Sequence, residues 1–306
     1  MTPRPPILPV LHVGFHKSGS TTIQGALFAR HPDIACLGEP NEDPVAFAAI
    51  RGIADSCHRV ERKRVVFEPD KCRALWRQAM DSVPDGKVPV FSKEALTQYE
   101  HYQTPDDRRM ADRLREVVGP ARIVIVVRHQ IKLIESLYLF HAKGARYEAP
   151  EHWLRARNEG PLRMYSYHLM TRPFIENFGR ENVVIVPFEQ LRNDPEGFSA
   201  RICTFIGVDP ERGAQLMQRE RRNQRISNRY LVYSKIRKAS GLYVGLGHLV
   251  PKSIRDKVNG FLMGGDDAKV RFPREWIEQT ENYYREDNRR LAAEWNLPLQ
   301  EYGYPL

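Results

Sequence analysis

The sequence predicts an α/β fold in which helices flank a central, mainly parallel sheet. Two observations favour this class: apolar stretches of strand length alternate with longer helix-like stretches, and the clearest strand, ARIVIVV at 121–127, is β-branched and uncharged after its arginine. A third is the glycine-marked turn in LHVGFHKSGSTTIQ at 11–24, which joins an apolar run to a helix. We expect a single domain over residues 1–306, with a core at about 9–209 and a basic, largely helical C-terminal region at about 210–306.

The secondary-structure elements are predicted in order along the chain. Short apolar runs predict strands at 9–14, 33–38, 88–92, 121–127 and 182–191. Helices are expected at 20–29, 129–141, about 162–178, 194–208 and 283–295. The fourth of them begins with Asp194 as its cap and Pro195 in its first turn. The basic region 226–265 has a mixed pattern and receives no assignment.

The composition indicates the class of protein but does not identify its function. The apolar content of 42% and charged content of 28% are typical of a soluble protein with a substantial core. Lys and Arg number 47 against 38 Asp and Glu, so the surface should attract anions such as nucleotides, acidic sugars, nucleic acid or lipid headgroups. The four scattered cysteines indicate a reduced, cytoplasmic setting, and no apolar run reaches the roughly 18 residues of a membrane span.

The turn after the first strand predicts an anion-binding site. Unpaired N–H groups and the helix dipole point to the same place at a helix N-terminus, and Lys17 adds a full charge there. Hydroxyl groups follow, and Thr21 or Thr22 can cap the helix. A Walker loop requires its lysine directly after a glycine. Here the lysine precedes Ser-Gly, so the chain does not match the ATP-binding pattern.

The order K-S-G-S-T-T at 17–22 resembles the 5′-phosphosulfate loop of the sulfotransferases. That resemblance implies a three-layer, P-loop-type fold and transfer of a sulfuryl group from 3′-phosphoadenosine 5′-phosphosulfate (PAPS) to an acceptor. The donor-binding residues it implies in this loop are Lys17, Ser18, Gly19, Ser20, Thr21 and Thr22. The alternative from the residues alone is a helix start with capping hydroxyls and a solvated lysine.

A second resemblance to the same family lies in VIVVRHQIKLIESLY at 124–138. Family members bind the donor's 3′-phosphate with an arginine at a strand end and a serine eight residues later, which implies Arg128 and Ser136. The chain departs from the family at His129-Gln130, where Asp-Pro or Asn-Pro is common, and at Leu133, where a second arginine is common. On its own, Arg128 could equally be a strand-end arginine in an ordinary salt bridge.

Two further stretches resemble the sulfotransferases in their packing pattern. One is NVVIVPFEQLRNDPEGFSARICTFIGVD at 182–209, and the other is the final helix within 280–298. Both support the fold and carry no information on the acceptor.

The resemblance implies a lysine electrophile and a general base. Lys17 is the candidate that would stabilise negative charge on the leaving phosphate. The stretch HPDIACLGEPNEDPVAF resembles carbohydrate-acting members, in which a glutamate follows a short strand, so Glu39 and Glu42 are candidate bases. The stretch FSKEAL resembles the family's third-strand segment, so Lys93 and Glu94 are also candidates. Each of these carboxylates could instead be a cap or an ion-pair partner.

The arginine-rich stretch RERRNQRISNR resembles the family's late basic loop. It would cover the adenine or the 3′-phosphate, with Arg221, Arg222 and Arg225 as candidates. A solvated basic helix face, or a site for an anionic acceptor, explains the same pattern.

The sequence therefore predicts a PAPS-dependent sulfotransferase that acts on a hydroxyl of a carbohydrate, glycolipid or other small acceptor, with PAP as the desulfated product. No metal and no nucleic-acid partner are expected, peripheral membrane contact is possible, and the oligomeric state is left open. A P-loop-type nucleotide-dependent kinase is the first alternative. A non-enzymatic basic module that binds anions is the second, since the formal net charge is +9.

Overall fold

The structure is a computed structural model. It describes residues 7–57, 66–97, 107–143, 147–155, 165–218, 226–239 and 252–306. Five strands form one parallel sheet, in the order β2-β3-β1-β4-β5. The strands are β1 Val10–His12, β2 Ile34–Cys36, β3 Val88–Ser92, β4 Arg122–Val127 and β5 Val183–Pro187.

Helices connect the strands and extend to the C-terminus. The first, α1, begins as an α-helix at Ser20–Thr22 and continues as a π-helix at Ile23–Phe28. The others are α2 Pro44–Cys57, α3 Pro69–Asp81, α4 Asp107–Val118, α5 Gln130–Lys143, α6 Pro150–Arg155, α7 Tyr167–Phe178, α8 Phe188–Asn193, α9 Pro195–Ile206, α10 Pro210–Gln218, α11 Asn228–Ala239, α12 Lys252–Met263 and α13 Arg274–Trp295. Short 3₁₀ turns lie at Glu94–Leu96 and Arg180–Asn182.

The side chains of the strands alternate between two helical layers. Val124 and Val126 of β4 join a buried cluster with Ile23 of α1 and Ile202 of α9. On the other face, the ring of Phe91 lies 5.2 Å from Phe47 of α2 and 6.2 Å from Trp76 of α3, between ring centroids. Burial on both faces explains why these strands are continuous apolar runs. The predicted three-layer α/β fold is confirmed.

One predicted strand is too long. The stretch 182–191 forms a strand only over Val183–Pro187, and its second half, FEQL, starts helix α8. The cap of α9 is as predicted, since the Asp194 carboxylate accepts a hydrogen bond of 2.8 Å from the backbone N–H of Gly197.

The chain divides into two compact units. Unit 1 comprises Met1–His129, Arg163–Glu220 and Arg285–Leu306 and contains the whole sheet. Unit 2 comprises Gln130–Leu162 and Arg221–Tyr284. In unit 2, Tyr138 of α5 packs edge-on against Trp153 of α6 at 5.6 Å and against Phe272 at 6.0 Å. Within the described ranges, no helix has the length and apolar character needed to cross a membrane.

Candidate active site

The candidate residues of unit 1 lie at the carboxyl end of the sheet. Because all five strands are parallel, the residues that follow them meet at one edge, which is where ligands bind in open α/β sheets. Lys17 follows β1, Glu39 follows β2, Glu94 follows β3 and Arg128 follows β4.

The loop between β1 and α1 has an unusual backbone. Lys17 has a φ of 63° and Gly19 a φ of 88°, both in the left-handed region. A lysine in that conformation costs roughly 1 kcal/mol, which surrounding contacts must offset. Gly19 is required for space as well, since a Cβ there would lie within 3.0 Å of the Phe188 ring and of Leu191. The tertiary contact with α8 therefore fixes this loop.

Gly19, and not a threonine, caps α1. The backbone N–H groups of Thr22 and Ile23 donate to the Gly19 carbonyl, at 3.0 and 3.2 Å, and no hydroxyl caps the helix. The idea that Thr21 or Thr22 caps it was wrong, because the left-handed glycine already ends the loop. Thr21 is exposed and Thr22 half-buried, so their side chains remain accessible in the first turn. The Ser18 hydroxyl is buried and donates to the Phe15 carbonyl, so it shapes the loop from inside.

Arg128 reaches the same loop from the end of β4. Its guanidinium donates a hydrogen bond to the Lys17 carbonyl and lies 4.6 Å from the centroid of the Phe188 ring. The side chain is largely buried, with 8% exposure for the residue. A guanidinium stays charged at any physiological pH, so the structure places a fixed positive charge against the backbone of the lysine loop.

The surroundings of Arg128 are held by Glu189 and Tyr304. The Glu189 carboxylate accepts hydrogen bonds from the His129 backbone N–H at 3.1 Å and from the Tyr304 hydroxyl at 2.9 Å. Tyr167 donates its hydroxyl to the Arg128 carbonyl at 2.5 Å. Burial raises the pKa of Glu189, against the effect of its two donors. These contacts fix the backbone at the end of β4. Through Glu189, the FEQL stretch therefore supports the position of Arg128.

Glu39 belongs to a polar network at the carboxyl end of the sheet. Its carboxylate pairs with the Lys93 ammonium and accepts a hydrogen bond of 3.3 Å from the Gln24 amide. Gln24 also donates to the Ser92 hydroxyl at 3.0 Å, and that hydroxyl lies 2.7 Å from Nδ1 of His12. The Glu39 side chain remains 27% exposed. The network therefore fixes one side of a carboxylate that solvent or an acceptor can still reach.

Gly38 brings Glu39 to this position. A Cβ at residue 38 would fall less than 3.0 Å from backbone atoms of Ser92, so only glycine allows the chain to pass so close to β3. The Glu39 backbone N–H then donates to the Ser92 carbonyl at 3.1 Å.

His12 is the deepest member of the network. Complete burial lowers its pKa to about 4, although the charge of Glu94 opposes that shift. The imidazole is therefore neutral at physiological pH. The Ser92 hydroxyl already receives the Gln24 hydrogen bond, so it can donate its own proton to a neutral His12 Nδ1.

Glu94 is directed at the lysine loop. One of its oxygens lies 2.8 Å from Nδ1 of His16. Burial favours a higher pKa for Glu94, but the hydrogen bond and charge of His16, with the Ser20 hydroxyl, hold that pKa below its ordinary value. The carboxylate is thus ionised and contacts His16, the residue before Lys17.

The remaining predicted residues are not brought into this cluster. The side chain of Glu42 is exposed, and its backbone N–H donates to the Gly38 carbonyl at 2.8 Å. Ser136 is half-buried on α5 in unit 2, so its pairing with Arg128 stays a prediction. Arg221, Arg222 and Arg225 lie outside the described residues. Within the described ranges, no group of three or more His, Cys, Asp or Glu side chains could hold a metal ion.

Sequence reasoning missed the residues that support the candidate side chains. Gln24, Ser92 and His12 connect α1, β3 and β1 through contacts between residues 68 and 80 positions apart. The available signal was weak: each is a polar residue within or beside an apolar run. Lys93, which was a candidate from the sequence, is the ion-pair partner of Glu39.

Comparisons with known proteins agree with this architecture. The sulfotransferase family model matches residues 9–212. The crystal structure of a sulfotransferase from Alicyclobacillus acidocaldarius aligns over 96% of this chain and 98% of that chain, with 17% identity and a TM-score of 0.55. Mouse sulfotransferase SULT7A1, crystallised with PAP, aligns over 94% and 90% of the two chains, with 13% identity and a TM-score of 0.43. No curated protein matches the chain in sequence.

Proposed function

The chain belongs to the sulfotransferase family, and we propose that it is an enzyme that transfers a sulfuryl group from PAPS to a hydroxyl of a carbohydrate, glycolipid or other small acceptor. One observation carries the donor assignment: the Arg128 guanidinium contacts the backbone of the Lys17 loop. Two cationic side chains, 111 positions apart, thereby occupy one edge of the sheet. A nucleotide with phosphate groups on both its 3′ and 5′ positions presents two anionic ends to such a pair.

The loop fits a phosphosulfate group in its local chemistry. Lys17 supplies a charge, and the backbone N–H groups before the first helical hydrogen bond are donors at a helix N-terminus. Thr21 and Thr22 offer accessible hydroxyls, whereas the buried Ser18 and Ser20 would contribute through their backbones. Arg128, with Ser136, would bind the 3′-phosphate, and the arginines at 222 and 225 would cover the nucleotide.

When bound, PAPS would supply the activated sulfuryl group. Lys17 would stabilise the negative charge that develops on the leaving phosphate, which is the role that a fixed cation fulfils in phosphoryl transfer. The strained backbone of Lys17, held by Arg128, keeps its position fixed before the reaction, so little reorganisation is needed.

Glu39 is the general base in this proposal. Gln24 and Lys93 hold its carboxylate at the sheet edge, and 27% exposure leaves room for an acceptor hydroxyl. Glu94 is better suited to hold the loop, because His16 contacts its carboxylate and depresses its pKa. The Glu42 side chain is exposed and takes part in none of these contacts.

Transfer from radiolabelled PAPS to a panel of carbohydrate, glycolipid and phenolic acceptors tests the proposal. We expect Glu39→Gln to lower turnover about 100-fold or more, as for loss of a general base, with unchanged PAP affinity. Glu42→Gln should retain wild-type turnover, and Glu94→Gln should weaken nucleotide binding through the loop. Equal turnover of wild type and Glu39→Gln would reject Glu39 as the base. Failure to transfer label to any acceptor, with ATP consumed instead, would reject the enzyme class.

A further inference from the structure

Unit 2 exposes apolar side chains on two neighbouring helices. On α11, Val232, Tyr233 and Ile236 are 55%, 39% and 61% exposed. On α12, Ile254, Val258 and Phe261 are 51%, 49% and 64% exposed. Within each helix these positions recur at the spacing of one face. We refer to these six side chains, together with the exposed Lys235 and Lys257 beside the two stripes, as the α11–α12 surface.

The two helices are tied to each other at one end. The Ser227 hydroxyl donates to the Leu262 carbonyl, and Ser227 forms an antiparallel bridge with Asp267. The guanidinium of Arg229 lies 4.7 Å from the centroid of the Phe261 ring. The start of α11 and the end of α12 therefore form one local structure.

Positive charge accompanies the exposed apolar side chains. The twelve residues of α11, NRYLVYSKIRKA, include four basic and no acidic residues. Those of α12, KSIRDKVNGFLM, include three basic residues and one acidic residue, Asp256. At 100° per residue, Asp256 falls on the side of α12 opposite its apolar stripe. At the same spacing, the exposed Lys235 lies roughly 105° from the centre of the α11 stripe, and the exposed Lys257 lies roughly 65° from the centre of the α12 stripe.

We propose that the α11–α12 surface docks onto a lipid bilayer that contains acidic headgroups. An amphipathic helix with aliphatic and aromatic residues on one face and basic residues around it is suited to the boundary between headgroups and acyl chains. The apolar stripes would enter the bilayer, and Lys235 and Lys257 would bind lipid phosphates beside them.

Other occupants fit the surface less well. A second copy of the chain, packed about a two-fold axis, would place basic residues against the same basic residues, and like charges repel. A nucleic acid would match the charge, but it would bury few aliphatic side chains, since its affinity comes from phosphates and base stacking. A bilayer with acidic headgroups matches both the positive charge and the exposed apolar side chains of the surface.

Vesicle flotation with the full chain tests the proposal. We expect binding to phosphatidylcholine vesicles that contain phosphatidylglycerol, little binding to pure phosphatidylcholine, and a loss of binding as salt rises. Replacing both lysines, Lys235→Gln with Lys257→Gln, should weaken binding about 25-fold, from a factor of roughly five for each charge near an anionic surface. Ile236→Ser with Phe261→Ser should weaken it by about tenfold or more, since two exposed apolar side chains no longer enter the bilayer.

Matched variants of unit 1 are the controls. Val66 is 76% exposed and the Lys71 side chain 68% exposed, so Val66→Ser with Lys71→Gln changes the same residue types outside unit 2. This control should bind vesicles like wild type.

Three results would overturn the proposal. They are equal binding to neutral and acidic vesicles, no binding of wild type to either, and equal loss in the unit 1 control and the unit 2 variants. Sedimentation that shows a wild-type dimer, dissociated by Ile236→Ser with Phe261→Ser, would assign the surface to a second copy instead. The assay needs no PAPS, so its failure leaves the proposed function intact.

Discussion

The two units of this chain differ in what they do with apolar and charged side chains. In unit 1 the candidate polar groups have specific partners: Glu39 with Lys93, Glu94 with His16, and Arg128 with the Lys17 loop. Of the eleven large apolar side chains exposed in the described residues, eight belong to unit 2, six of them on α11 and α12. Unit 1 is thus organised around its own internal contacts, whereas unit 2 presents a surface suited to an external partner.

The family assignment does not account for the exposed helices of unit 2. The matched region ends at residue 212, before α11 begins at Asn228. The chemistry proposed for unit 1 therefore follows from family and geometry together. The exposed helices of unit 2 must be explained from their own residues.

The largest expected effect compares one substitution in the two units. Phe198 in unit 1 is fully buried and Phe261 in unit 2 is 64% exposed. We expect Phe198→Ala to lower the free energy of unfolding by about 3–5 kcal/mol, through lost burial and a cavity. Phe261→Ala should lower it by about 1 kcal/mol or less, the loss of an exposed contact with Arg229. Denaturant unfolding measures both, and similar losses would show that the α12 side chain is buried in solution.

Lys17→Ala tests the chemistry of unit 1 at its centre. Removing the charge that stabilises the leaving phosphate should lower turnover by about 100- to 1000-fold, the typical effect of losing one such group. The unfolding temperature should stay close to that of wild type, since a Lys17 side chain that is only half-buried contributes little packing. Lys71→Ala, on an exposed lysine of the same unit, is the matched control. Turnover within a factor of two of wild type would remove Lys17 from the mechanism.

His12 makes the stability of unit 1 sensitive to acid. Its folded pKa of about 4 lies below the ordinary histidine value of 6.5, so the unfolded chain binds more protons between these values. Stability should therefore fall by about 3 kcal/mol as the pH falls from about 6.5 to about 4, from 1.36 kcal/mol for each pKa unit. In His12→Asn, which keeps a partner for Ser92, this loss should be smaller. Parallel stability curves for the two proteins, from denaturant unfolding at several pH values, would contradict the assignment.

Glu94→Gln should have the smallest effect. The carboxylate has a depressed pKa, so its stabilising contribution is present above its unfolded pKa and is lost as the pH falls through the folded value. We expect a loss of about 1–2 kcal/mol at neutral pH, the size of a hydrogen bond to a charged group, and no difference in strong acid. Glu42→Gln, at an exposed glutamate, serves as the comparison. A loss that is the same at all pH values would indicate packing and not charge.

The strands β1, β3, β4 and β5 of unit 1 were predictable because nearly all of their residues are buried. The run 88–92 matches β3 at both ends, and 121–127 exceeds β4 by a single residue. The local sequence pattern gave a wrong prediction where a tertiary contact determines the secondary structure. The FEQL stretch continues an apolar run, yet it forms α8 because Phe188 and Leu191 pack on Gly19. Helix α4 received no prediction, although its buried Met110, Leu114 and Val117 follow helical spacing.

The candidate site was predictable where a motif is contiguous. Lys17 and Gly19 belong to one short loop, and Arg128 ends a clear strand, so both were identified from local sequence. The network of His12, Ser92 and Gln24 was not, because each residue acquires its role only from partners in other elements. The cytoplasmic setting and the single domain stay predictions.

The central proposal is that Arg128 and the Lys17 loop bind opposite ends of one nucleotide. Calorimetric titration of PAP and AMP, which differ by the 3′-phosphate, tests this directly in wild type, Lys17→Ala and Arg128→Gln. We predict that wild type prefers PAP by roughly 10- to 100-fold, that Arg128→Gln removes the preference, and that Lys17→Ala weakens both nucleotides equally. Equal affinity of wild type for PAP and AMP, or tighter binding of ATP with Mg²⁺ than of PAP, would contradict it.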